Sequence, residues 1–109
     1  MSALTKAQLL AIASTPILKK IDGIGEVYLK KLTVAEQNQL AKSKDKVDDI
    51  TTTLNMVAYS LCDENGKRLF GDNEVQEVGK LTTEQIACLA EVISEINGFN
   101  QSQEDIKKN

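Results

Sequence analysis

Apolar positions along the chain fall into short groups whose spacing changes from segment to segment, and the spacing predicts the elements. The clearest group is Val47, Ile50, Leu54, Val57, Ala58 and Leu61. Steps of three and four residues place these side chains on one stripe of a helix, so this segment predicts a core helix. Thr51, Thr52 and Thr53 lower its intrinsic helix propensity, and packing must hold it. A second stripe, Ile86, Leu89, Ala90, Ile93 and Ile96, predicts a final helix from about Thr83 to Ile96. Thr82 and Gln85 stand at capping-box spacing at its start and Asn97-Gly98 at its stop.

The remaining groups are shorter. Thr5 to Ala13 opens with a Thr5/Gln8 capping box and meets Ser14-Thr15-Pro16, which predicts a short helix. Residues 17–21 and 26–32 are β-compatible runs joined by Asp22-Gly23-Ile24-Gly25, the pattern of a hairpin. Lys19 shares a face with Ile17 and Ile21, which predicts a hairpin with one wet face or at a sheet edge. Thr33 and Glu36 form another capping pair, opening a short amphipathic helix through Leu40 that ends in the charged linker Lys42 to Lys46. Asp63-Glu64-Asn65-Gly66 reads as a turn and Lys67 to Phe70 as an extended connection, with Phe70 plugging the core. Asp72 or Asn73 is positioned to cap a one- to two-turn helix through Val75 and Val78, closed by Gly79. The fold class expected is α+β: a small helix-dominated domain over residues 1–99, with a short N-terminal β-hairpin and three to four amphipathic helices. Residues 100–109 carry one aliphatic side chain, Ile106, and are expected to be a disordered tail.

Composition narrows the picture. A chain of 109 residues supports one compact core, and with two Phe, two Tyr and no Trp that core is built from aliphatic side chains. The net charge of −3 hides an asymmetry: residues 1–46 carry eight lysines against four acids, and residues 47–109 carry five basic residues against twelve acids. A chain of this kind is able to assemble head to tail or to dock on a charged partner, although two solvated faces explain it as well. Cys62 and Cys88 both fall in segments read as helix and are expected to be buried reduced thiols. The first residues lack the pattern of a signal peptide and no apolar run reaches the roughly 20 residues of a membrane span, so a soluble cytoplasmic protein is expected.

Candidate chemistry fails at each test. The chain has no His, which removes the commonest general base and metal ligand, and two distant Cys do not make a zinc site. Asp48-Asp49 and Asp63-Glu64 are adjacent pairs, read as solvated charge rather than as an acid/base pair. Asp63-x-Asn65-Gly66 would set Leu61 as the first ligand of a calcium loop, and Leu does not ligate calcium. Gly23-x-Gly25 lacks the third glycine of a nucleotide loop, Tyr28 standing in its place. No catalytic, cofactor or metal residue is therefore assigned, no cofactor is expected, and the protein is read as a non-enzymatic binder of other proteins.

Three stretches carry a resemblance: Val27-Tyr28-Leu29-Lys30-Lys31-Leu32-Thr33-Val34-Ala35-Glu36, Leu61-Cys62-Asp63-Glu64-Asn65-Gly66-Lys67-Arg68-Leu69-Phe70, and Leu81-Thr82-Thr83-Glu84-Gln85-Ile86 with the helix and Ile96-Asn97-Gly98 stop that follow. Together they span most of residues 27–98, and the chain resembles the tail assembly chaperones of long-tailed bacteriophages. The resemblance implies a non-structural protein of the host cytoplasm. It binds the tape-measure protein, keeps it soluble, helps gather the major tail protein of the tube around it, and is absent from the finished tail. It also implies a frameshifted longer product, of which this chain is the shorter form. It assigns no binding role to any single side chain. Self-association is expected, since it would repeat one apolar groove along a helical client. Two other classes compete: a small nucleic-acid-binding regulator using the basic N-terminal half, with lysine pairs at 19–20 and 30–31, and a minor structural protein of the particle.

Overall fold

The computed structural model describes residues 3–43 and 48–99. The elements run α1 (Lys6–Ala13), β1 (Ile17–Ile21), β2 (Gly25–Leu29), α2 (Val34–Ser43), α3 (Asp49–Ser60), β3 (Leu61–Cys62), a 3₁₀ turn (Asp72–Glu74), α4 (Val75–Val78) and α5 (Thr83–Asn97). The class is α+β, with an N-terminal hairpin and helices dominant. Val47, the linker residues 44–46 and the tail from residue 100 lie outside the described residues.

The hairpin forms with the register Ile17↔Leu29, Leu18↔Tyr28, Lys19↔Val27, Lys20↔Glu26 and Ile21↔Gly25. Its turn depends on glycine, because Gly23 and Gly25 have φ of 84° and 116°. β1 is an edge strand in the order β1-β2-β3, and its inward face, Ile17, Lys19 and Ile21, is buried fully only at Ile21, as the misplaced lysine predicts. Several boundaries differ from expectation, α2 for one running through Ser43 and so taking in Lys42 and Ser43 of the expected linker. The second strand stops at Leu29 rather than reaching residue 32, because Leu32 turns into the core and its N–H donates to Asn97 Oδ1 at 2.9 Å. The helix of residues 49–60 ends one residue before Leu61, since Leu61 and Cys62 pair with Leu29 and Tyr28 as a third strand. A period-3.6 stripe continues through Leu61 and hides this change of direction; Cys62 is a strand residue, not a helical one.

The ladder is reinforced beyond the strands. Lys30 N–H donates to the Ser60 carbonyl at 2.9 Å, and the fully buried Ser60 hydroxyl donates to the Lys30 carbonyl at 2.7 Å. Residues 67–70 do more than connect, because Arg68 bridges Cys62 and Leu69 N–H donates to the Leu61 carbonyl across the Asp63–Gly66 turn. Ile21, Leu29, Val57, Ala58, Leu61, Val78, Leu89 and Ile93 form the core, with Phe70 packed against it half-buried. The sheet supplies Ile21, Leu29 and Leu61, and α3, α4 and α5 close the other side.

The three capping boxes at Thr5/Gln8, Thr33/Glu36 and Thr82/Gln85 are all made, each by a pair of reciprocal hydrogen bonds of 2.9 to 3.2 Å. Asn97-Gly98 stops α5 as expected, with Gly98 in the left-handed region at φ 73°. At the short helix the cap is Gly71, not Asp72 or Asn73: its N–H donates to Glu74 Oε1 at 2.9 Å, while Asp72 accepts from Arg68 instead. α2 has no buried residue and Val34 is 86% exposed, so the amphipathic face expected there does not reach the core.

Candidate protein-docking surfaces

Four consecutive residues of α1, Leu9, Leu10, Ala11 and Ile12, step round the helix by roughly 100° each and leave no polar face on that turn. A helix turn that is apolar all round is normally buried. Here residues 3–13 are all exposed, with Leu4, Leu9, Leu10 and Ile12 each between 57% and 61% accessible. Only the root of α1 is fixed. Ser14 and Pro16 pass over the Asp63–Gly66 turn so closely that a Cβ on Gly66 would stand 2.5 Å from the Ser14 carbonyl oxygen. A shallow cavity lined by Ile12, Ala13, Thr15, Ile17 and Lys31 opens at that root.

A second apolar surface lies on the opposite half of the sequence. Ile50, Thr53 and Leu54 of α3, Gly79 and Leu81 of the α4–α5 connection, and Thr83, Ile86 and Ala87 of α5 line a groove of about 320 Å³. Ile50 was expected in the core stripe and is instead 71% exposed, because the stripe reaches its packing partners only from Leu54 onward. The groove keeps its depth because Gly79 has no side chain: a Cβ there would meet the Gln76 carbonyl at 3.2 Å and the Leu54 methyl at 3.4 Å. Exposed charges of both signs flank the lining residues in sequence: Asp48 and Asp49 before Ile50, Lys80 between Gly79 and Leu81, and Glu84 after Thr83. Asp48 also caps α3, accepting from Thr51 N–H at 2.7 Å, and hydrogen bonding by the Thr51 side chain, then by this N–H, holds its carboxyl below the usual value.

The polar features offer less. Arg68 lies over the Tyr59 ring at 5.0 Å, donates through Nε to the Ala58 carbonyl at 3.0 Å and pairs with Asp72 at 2.9 Å, while its Nη2 is buried without a partner. Burial pushes the Tyr59 phenol up, and the Asp72 charge adds to the shift. These contacts tie α3 to the 3₁₀ turn. Both cysteines are free; Cys62 is buried as expected, and burial pushes its thiol up, whereas Cys88 is only half-buried. Lys19 and Lys20 occupy opposite faces of β1, so the hairpin does not gather that pair into one basic patch. Among the described residues no cluster of three or more metal-ligating side chains occurs, and no helix is long and apolar enough to cross a membrane.

On a small α+β body this chain thus exposes an apolar arm and an apolar groove. Its family is that of the phage tail assembly chaperones (TAC), to which the chain belongs: the family model of that description matches residues 3–97. Comparisons with curated proteins and with solved structures returned no match. The match includes α1 and both walls of the groove. Sequence reasoning missed both surfaces as such. The signal for the arm was present in the unbroken run Leu9 to Ile12; for the groove there was none, because Ile50 and Ile86 sit on stripes that read equally well as core.

Proposed function

We propose that this tail assembly chaperone acts without enzymatic chemistry, in the cytoplasm of the bacterial host. It binds the tape-measure protein, keeps it soluble, and gathers major tail protein subunits around it while associating with further copies of itself. The observation that carries this reading is the exposed apolar surface: α1 and the Ile50–Ile86 groove offer unpaired hydrophobic area that a protein client would cover. The groove, lined mainly by aliphatic side chains, suits one face of an amphipathic helix. The longer frameshifted product implied by the resemblance would present the same domain with an added one.

Co-expression with the tape-measure protein of the same genome tests this directly. The expected result is a soluble tape measure that co-purifies with the chain; a tape measure equally insoluble with and without it would refute the client assignment.

A further inference from the structure

We propose that residues 102–107 of the C-terminal tail lie along the open edge of β1 as a parallel fourth strand, with Glu104 beside Lys19, Asp105 beside Lys20 and Ile106 beside Ile21. The free groups of that edge follow from the hydrogen bonds of its neighbours. Lys30 N–H donates to the Ser60 carbonyl on the β3 side, so the odd-numbered residues of β2, Gly25, Val27 and Leu29, turn their backbone groups to β1. Their partners Ile21, Lys19 and Ile17 face back to them, which leaves the N–H and C=O of Leu18 and Lys20 directed outward. Among the described residues no backbone group pairs with these. An edge of five regular residues, without proline or bulge, is a template for another strand.

Charge selects the occupant. Lys19 stands half-buried on the inward face between Ile17 and Ile21, and its cross-strand neighbour is Val27, so no carboxylate faces it across the hairpin. Against β1 of a second copy the central registers set lysine against lysine, which opposes pairing. The tail reads Ser102-Gln103-Glu104-Asp105-Ile106-Lys107, and β1 with the first turn residue reads Ile17-Leu18-Lys19-Lys20-Ile21-Asp22. Side by side in parallel, they bring together Glu104 with Lys19, Asp105 with Lys20 and Lys107 with Asp22, and place Ile106 beside Ile21. A slip of one residue sets Ile106 beside Lys20 or Asp22 and turns every tail side chain to the other face. Direction and reach agree with this register. Asn97, the last residue of α5, accepts from Leu32 N–H at 2.9 Å, so the chain leaves α5 beyond the end of β2 at which β1 begins. Running on from there towards Ile21 makes it parallel to β1. The stretch from Asn97 to Glu104 spans up to about 23 Å, against about 20 Å from Leu32 to a position beside Lys19. With mostly polar side chains such a strand is weak and depends on its charges, so it closes at low salt and opens as salt rises. The contact uses neither α1 nor the groove and stands apart from the client assignment.

Amide hydrogen exchange of the full chain, read residue by residue by NMR, tests the pairing. The controls lie in the same strand. Lys19 and Ile21 N–H point to β2 and should exchange alike with and without the tail, whereas Leu18 and Lys20 N–H gain protection only where the tail pairs with them. At ~20 mM salt, protection at Leu18 and Lys20 is expected to be about fivefold or more above that in a chain ending at residue 99, and to fall towards it at ~0.5 M salt. Glu104→Lys is expected to lose the difference, and Lys19→Glu combined with Glu104→Lys to restore it. Equal exchange at Leu18 and Lys20 with and without the tail would overturn the proposal, as would protection that persists in Glu104→Lys. A double variant that keeps the Lys19-position and Ile21 controls yet restores nothing would overturn the register. Protection that grows with protein concentration would assign the strand to a second copy and overturn the proposal as well. The truncation and Glu104→Lys leave residues 1–99 untouched, so the test does not depend on whether Lys19→Glu folds.

Discussion

Gly66 shows how much can rest on one residue. Its φ of 82° suits only a residue without a side chain, and a Cβ would strike the Ser14 carbonyl oxygen at 2.5 Å. Gly66→Ala is expected to cost about 1–3 kcal/mol for the backbone strain alone, and to release the root of α1 as well. A urea titration measures the first effect, and faster amide exchange at Ser14 and Thr15 reports the second. Ser60 is a comparable case. Its hydroxyl is fully buried and donates to the Lys30 carbonyl, so Ser60→Ala should lower stability by about 1–3 kcal/mol by leaving that carbonyl unpaired. Cys62 is quieter: with its thiol buried and its pKa raised, it is expected to react with a thiol reagent only on unfolding, ahead of which Cys88 is modified. The turn role of Gly66 was legible from Asp63-Glu64-Asn65-Gly66, since that dipeptide chemistry is local. The role of Ser60 was not, because its partner is 30 residues away and nothing in a single sequence links the two.

Helices divide at the next scale into those that supply the core, α3, α4 and α5, and two that bury no residue, α1 and α2. α5 contributes Leu89 and Ile93 to the core, so removing its cap with Thr82→Ala should reduce global stability by about 1 kcal/mol. The same change at Thr5 removes an equally well-formed cap from α1, which buries nothing, and is expected to lower helix content while leaving the unfolding midpoint in place. Circular dichroism at fixed temperature and in a melt separates the two outcomes. α3 brings a pH dependence. The Asp48 carboxyl has a lowered pKa in the folded state, so its contribution is fully present above the ordinary carboxylate range near ~3.9 and is lost as pH falls through the lower folded value. Asp48→Asn keeps a capping side chain and should remove that part of the acid sensitivity in a pH series of melts. Capping boxes, the hairpin turn and the α5 stripe were all visible in sequence because each is a local pattern. The third strand was not: Leu61 fits the helical stripe of α3 as well as it fits a strand, and only its pairing with Leu29 decides. Exposure of Ile50 escaped for the same reason, since a stripe gives direction but not the length over which neighbours pack.

For the whole molecule, the buried core and the proposed docking surfaces draw on largely different residues, Leu54, Leu81 and Ile86 of the groove being packed against the core as well. Ile21, Leu29, Val57, Ala58, Leu61, Val78, Leu89 and Ile93 hold the body together, and none belongs to α1 or lines the groove. A chaperone has reason to keep the two apart, because surface kept free for a client adds nothing to stability and burial would take it out of use. The separation predicts opposite results for two variants. Deleting residues 3–13 removes α1 with its four exposed apolar side chains and should leave the unfolding free energy of the body within about 0.5 kcal/mol of the full chain, as for other changes far from packed features. Tape-measure solubility on co-expression should nevertheless fall sharply. Leu29→Ala empties a fully buried site at the centre of the sheet and should cost about 2–5 kcal/mol. At a temperature well below its lowered midpoint it should still rescue the tape measure, because the arm and groove are intact. Chemical denaturation gives the stability of each variant and a co-expression solubility assay gives its activity. If activity followed stability across the pair, the apolar arm would be packing of the folded body rather than a surface for partners.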